Sequence, residues 1–357
     1  MAGDRVAHRA AAAAHCIAHF IILMLAPIHV EDDGSRQIPR ARHLVAHSSY
    51  FVYFFLAHDS IESRLFDHSF YGVILQTQGT RMQTLDEQDF LARRREPRLS
   101  YAIYLESKES QDEGCDMVEA GLQQPEEVLR NIPPENFMTA TRQRAWDGID
   151  QLALAYSAGH PLDELRASYP TILGYWLAFA RYDMIFDAQA SEAEQGFPHF
   201  ALPGDAYEQV NRMVCLGILL GWGSLLPKLA PVIDFNNHEK DGLLERLLAC
   251  FVAGRDSAWP ACTRHRPYIN TLKIFAAEKD ARPALMQEYL RQWYDASRRE
   301  PYYDSHQRDT SFWGYWSWEA AAITCVLGID DSSYRDAPFY PADLAAFCRI
   351  QGIGPCA

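Results

Sequence analysis

From Met82 onward, apolar residues recur at spacings of three and four, the period of helices that bury one face. Trp146, Ile149, Leu152, Ala153 and Tyr156 form one such stripe, and Gly159 followed by His160 and Pro161 supplies a stop. Ile172, Trp176, Phe179 and Ala180 form the next, and Pro170 is expected to break the chain between it and residues 162–169. Residues 213–220 are apolar on nearly every side, which predicts a helix at the centre of the core, ended by Gly221, Gly223 and Pro227.

The same grammar continues to the C-terminus. Leu243, Leu244, Leu247, Leu248, Phe251 and Val252 make a stripe closed by Gly254, and Pro283 opens another through Leu285, Met286, Tyr289, Leu290 and Trp293. Trp316, Ala320, Ile323 and Leu327 form the last, with Gly328 as a left-handed cap and Ile329 placed to fold back on the helix end. No alternating strand pairs joined by Asn-Gly turns occur. The pattern therefore predicts an all-α fold of packed antiparallel helix pairs in one bundle-like array. A strict repeat of about 34 residues is absent, which leaves a regular solenoid as the alternative.

Residues 1–81 follow different rules. Arg5 and Arg9 precede a mostly apolar run over residues 10–28, which His15 and His19 interrupt and Pro27 ends, a pattern nearer a signal peptide than a membrane span. No small-residue cleavage site follows it, and the aromatic run over residues 50–57 has no partner strand. We expect an N-terminal extension over 1–81 with Met82 as the native start, which N-terminal sequencing of the native protein would test. Helical regions over 82–200 and 201–357 follow it.

Charge sharpens that division. The 357 residues carry 47 Asp and Glu against 33 Lys and Arg, a net charge of −14. Residues 1–81 hold seven acids and seven Arg, no Lys, no Trp and eight of the 13 His, so the whole −14 falls after them. Such acidity disfavours direct nucleic-acid binding and suits a basic partner, although solubility alone is the plainer account. The eight Cys form no CxxC pair, and several lie inside apolar runs, so a reduced cytoplasmic protein is expected. Cys262 and His265 have ligand-like spacing but no second pair, and no metal or cofactor is expected.

Catalytic motifs are missing: there is no GxSxG elbow, no GxxxxGK[ST] loop and no HExxH, and Gly221-Trp222-Gly223 follows a predicted helix rather than a strand. No catalytic residue is assigned. The acids Asp183, Asp187, Glu192, Glu194, Asp205 and Glu208, relieved only by Arg181 and Arg212, form a run that reads either as a solvated helix end and loop or as a surface for a basic partner.

Residues 312–347 carry a resemblance. Phe312-Trp313-Gly314-Tyr315-Trp316-Ser317-Trp318-Glu319, then Gly328-Ile329-Asp330-Asp331, then Tyr340-Pro341-Ala342-Asp343-Leu344 resemble the signature of PoNi-type immunity proteins. Tyr156-Ser157-Ala158-Gly159, Leu162-Asp163-Glu164-Leu165 and Tyr169-Pro170 are similar to that family's N-terminal half, and the likeness spans about residues 82–349. It implies a helical protein that binds and neutralises a cognate PoNe-type DNase toxin in type VI secretion or a related interbacterial system, without catalysis and without contacting nucleic acid or membrane. Trp316, Glu319, Asp330, Asp331, Tyr340 and Pro341 are then expected to hold the fold, and the acidic run to contact the toxin. A helical peptide-binding adaptor and an enzyme with a dispersed site are the alternatives.

Overall fold

The computed structural model describes residues 82–352 except 125, 192–194, 205 and 308–311, all within the unit Gly79–Ala357. The expectations for residues 1–81, Glu192, Glu194 and Asp205 lie outside the described residues. The described chain forms helices α1 (Glu87–Arg93), α2 (Tyr101–Leu122), α3 (Glu126–Leu129), α4 (Pro134–Ala158), α5 (Leu162–Gln189) and α6 (Tyr207–Leu219). It continues as α7 (Leu226–Asp234), α8 (Gly242–Ala249), α9 (Leu272–Ala276), α10 (Arg282–Ala296), α11 (Trp318–Leu327) and α12 (Ala342–Ile350). Among the described residues there is no strand, so the fold is all-α. No described helix is long and apolar enough to cross a membrane.

Helix ends follow local chemistry. The side chains of Asp86, Ser100 and Asp241 accept from the first-turn amides of α1, α2 and α8, satisfying donors that have no partner within the helix. α4 stops at Gly159, whose φ of 97° suits a residue without a Cβ. The chain reverses over His160 and Pro161, so α4 and α5 pack along each other as an antiparallel hairpin, and α2 also packs on α4.

Pro170 does not break the chain: α5 runs through it without interruption. Proline removes the amide that would bond to the carbonyl four residues earlier, that of Arg166. The indole Nε1 of Trp222 donates to that carbonyl at 2.7 Å, while the Arg166 guanidinium lies over the Trp222 ring. A tertiary donor thus replaces the lost helical one. We expect Trp222→Phe to lower stability by about 1 kcal/mol, the worth of one hydrogen bond, measured by urea denaturation.

α6 is the centre of the core. Every residue of it from Val210 to Leu219 is buried, and it packs against α4, α7, α8, α11 and α12. Gly217 allows the closest approach: a Cβ there would overlap the Tyr169 hydroxyl, which donates to the Met213 carbonyl at 2.9 Å. Met286, Tyr289, Leu290 and Trp293 bury the inner face of α10, as their spacing requires.

Candidate functional site

The segment ahead of α11 is an irregular strap over the end of α4. Trp316 was expected on the helical stripe, yet α11 begins only at Trp318, and Trp316 lies half-buried in the strap. Tertiary bonds outweigh helix propensity here. Ser157 donates its hydroxyl to the Trp313 carbonyl and accepts from Trp316 Nε1 at 2.8 Å. Gly314 has φ 94°, and a Cβ on it would overlap Ser157 Oγ, so only glycine passes. The Tyr156 ring meets Trp316 and Trp318 edge-on with centroids 5.0 and 5.2 Å apart.

Arg95 ties α12 to the end of α4, and Glu96 holds the strap. Arg95 donates from Nη1 to the carbonyls of Tyr156 and His160 at the end of α4, where a cation suits the helix dipole. Its Nε reaches Asp343 of α12 at 2.6 Å, and Asp343 also accepts from the Tyr156 hydroxyl. Buried Glu96 accepts from the Tyr315 amide at 3.3 Å. Helices far apart in sequence are therefore joined through charged hydrogen bonds.

The other expected structural residues have definite partners. Glu319 is 1% exposed, and its Oε1 accepts from Tyr289 Oη at 2.6 Å, Trp293 Nε1 at 2.7 Å and Ser317 Oγ at 2.7 Å. Burial pushes its pKa up while these donors oppose the rise. Gly328 caps α11 at φ 59°, and the amide of buried Ile329 bonds back to the Thr324 carbonyl. Asp330 accepts from the Ser332 amide at 3.0 Å, a local turn contact. Asp331 instead bonds Arg335, Arg349 and the Tyr340 hydroxyl, and the two guanidiniums hold its carboxyl below the ordinary value despite the opposing effect of burial. Pro341 immediately precedes α12.

Between the strap and α6 lies a small recess. Glu208, Asn211 and Arg212 of α6 and Glu319 of α11 line it with Tyr268, Trp293, Tyr302, Trp313, Trp316 and Trp318. Arg212, its side chain 4% exposed, donates from Nη1 to Asp150 of α4 and from Nη2 to Glu208. Burial drives the Asp150 pKa up, against the attraction of Arg212. Close by, Glu300 is bound by Arg264 at 3.5 Å through Oε1, while its buried Oε2 has no hydrogen-bond partner.

Burial raises the Glu300 pKa from 4.5 to about 7, and the Arg264 charge only partly offsets it. The folded protein keeps a proton there that the unfolded chain has released, so stability falls as pH rises from about 4.5 to 7. We expect Glu300→Gln to flatten that decline, read as urea midpoints at pH 5, 6, 7 and 8; an unchanged slope would contradict it.

Of the described acids expected to face a partner, Asp183, Asp187 and Glu208, the structure brings only Glu208 to this recess, beside Trp316 and Glu319 of the signature. Asp183 is turned inward, bonding Nδ1 of buried His199 at 2.6 Å. Asp187 accepts from the Gly196 amide at 2.6 Å and is partly exposed. Asp150, Arg212 and Glu300 were not anticipated. Arg212 carried a usable signal, since a cation between Asn211 and the apolar residues 213–220 must find acids inside the fold.

Residues 239–344 match the family model described as PoNe immunity proteins (PoNi), C-terminal. The match takes in Trp293, Glu300, the strap, Glu319, Asp331 and Asp343, while Glu208 and Arg212 precede it. A search of curated proteins finds no match. The crystal structure of protein PA2201 from Pseudomonas aeruginosa is similar over 80% of this chain and 95% of that one, with a TM-score of 0.54 and 20% sequence identity. That likeness establishes a shared fold.

Proposed function

We propose that this protein is an immunity protein that binds a cognate PoNe-type DNase toxin and neutralises it by protein–protein association, without chemistry of its own. The match of residues 239–344 to PoNe immunity proteins carries this reading. The toxin would act in type VI secretion or a related interbacterial system, and the immunity protein would meet it in the cytoplasm. A net charge of −14 suits a partner built to bind DNA, because carboxylates can stand where phosphates would and speed the encounter.

We place the toxin contacts among Asp183, Asp187, Glu192, Glu194, Asp205 and Glu208. Asp183, Asp187 and Glu208 all hold internal partners, and those of Asp183 and Glu208 are buried side chains, so charge reversal at these two would perturb folding as well as binding. The test is co-expression with the toxin encoded beside this gene, scored by survival and DNA integrity. Wild type should rescue, and Asp187→Lys with Glu192→Lys and Glu194→Lys should rescue poorly at unchanged helical content. Association should slow as salt rises. Absence of rescue by the wild type would overturn the immunity role; full rescue by the triple reversal would move the interface.

A further inference from the structure

We propose that Phe197 is the apolar anchor by which this protein grips the toxin, entering a basic-rimmed pocket on the toxin's surface, an inference that rests on the immunity role above. Among the described residues Phe197 is the one aromatic side chain that is mostly exposed, at 63%. Single exposed apolar residues are ordinary on protein surfaces, so exposure alone decides nothing. The surrounding loop does. Two and three residues later the chain stacks His199 on the Phe235 ring, centroids 3.9 Å apart, and Phe200 on Trp176 at 4.1 Å. The loop between α5 and α6 thus has an aromatic floor within reach and turns Phe197 away from it.

Hydrogen bonds on both sides hold that outward display. The Gly196 amide donates to Asp187 at the end of α5 at 2.6 Å, and Asn236, in the left-handed region at φ 52°, donates to the Phe197 carbonyl at 3.4 Å. Asn237 donates to the Phe200 carbonyl at 2.6 Å and accepts from the Leu202 amide at 3.3 Å. A ring displayed from a fixed loop loses little freedom on binding, and buried aromatic anchors carry much of the energy of protein interfaces. Charge selects the partner. Residues 182–211 hold six acids and no Lys or Arg. Asp183 and Glu208 are matched internally by His199 and Arg212, and Asp234, two residues before Asn236, is matched by Arg255. Asp187 is bonded by a neutral amide, which leaves a negative charge at the edge of the anchor. An apolar ring beside a carboxylate fits an apolar pocket edged by Lys or Arg, and a protein that binds DNA carries such an edge. A second copy of this chain would instead bring like charge to the same face.

The test uses the full-length protein and the toxin encoded beside its gene, with binding rates and Kd measured for wild type, Phe197→Ala and Asp187→Asn. Leu91→Ala, at another exposed apolar side chain, is the control. Urea midpoints should match wild type for Phe197→Ala, because the ring is exposed. Phe197→Ala should raise Kd about thirtyfold, chiefly through faster dissociation, and Leu91→Ala should leave Kd unchanged. Asp187→Asn keeps an oxygen to accept from the Gly196 amide, and it should slow association at low salt. Unchanged Kd in Phe197→Ala, or an equal loss in Leu91→Ala, would overturn the anchor while the immunity role stands. Unchanged association in Asp187→Asn would overturn the basic rim. Light scattering that finds the protein alone to be a dimer, lost in Phe197→Ala, would assign the face to a second copy and overturn the proposal. Failure of the wild type to bind the toxin at all would overturn both the anchor and the immunity role.

Discussion

Replacing Arg212 with methionine should lower stability by about 3–5 kcal/mol, because it leaves two carboxylates in the interior without their cation. Arg212 is nearly fully buried and bonds both Asp150 and Glu208. Burial already raises the Asp150 pKa with the guanidinium present, and removing that charge raises it further. The folded variant would then neutralise Asp150 by taking up a proton that the unfolded chain holds less tightly. Its stability should fall as pH rises, so the deficit against wild type is smaller at pH 5 than at pH 8. Adding Asp150→Asn should recover part of the loss. Urea denaturation at both pH values reads this directly, and a deficit independent of pH would show that packing around the methylene stem, not charge, is what Arg212 supplies.

Glu319→Ala should cost a similar amount, about 3–5 kcal/mol. The hydroxyls of Tyr289 and Ser317 and the indole of Trp293 would lose their shared acceptor inside the core, and each unsatisfied donor costs about 1–3 kcal/mol before relaxation. Glu319→Gln keeps an acceptor oxygen and nearly the same volume, so its loss should be less than half as large. The pair of variants separates two roles for one residue. If Glu319→Gln is stable yet binds the toxin less tightly, the carboxyl contributes to binding as well as to folding; if it is stable and binds normally, its part is to order the strap.

These residues illustrate what sequence makes visible. Gly159 and Gly328 were readable as helix caps because a left-handed residue after an apolar stripe is nearly always glycine, and both adopt positive φ. The apolar stripes of α4, α6 and α10 were readable for a similar reason, since burial on one side of a helix imposes its period. Pro170 misled because its compensation, the Trp222 indole on the Arg166 carbonyl, comes from 56 residues along the chain from Arg166. Trp316 misled because side-chain bonds to Ser157 hold it in the strap, outside the helix its spacing suggested.

The recess was legible only in fragments. Glu319 stood out as a carboxylate among aromatic residues, and a buried, hydrogen-bonded state follows from the cost of leaving it unpaired. Glu208 was grouped with neighbouring acids as surface charge, yet Arg212 four residues on already hinted at a paired, buried position. Asp150 gave no such hint. Its side chain meets Arg212 only because α4 packs on α6, a contact that no local pattern encodes.

The central claim is that this protein neutralises a PoNe-type nuclease by binding it. The most direct test is plasmid cleavage by the purified toxin encoded beside this gene, with and without an equimolar amount of this protein, at low salt. Cleavage should stop at about one equivalent, reflecting a tight complex. Undiminished cleavage in the presence of excess, fully folded protein would contradict the account.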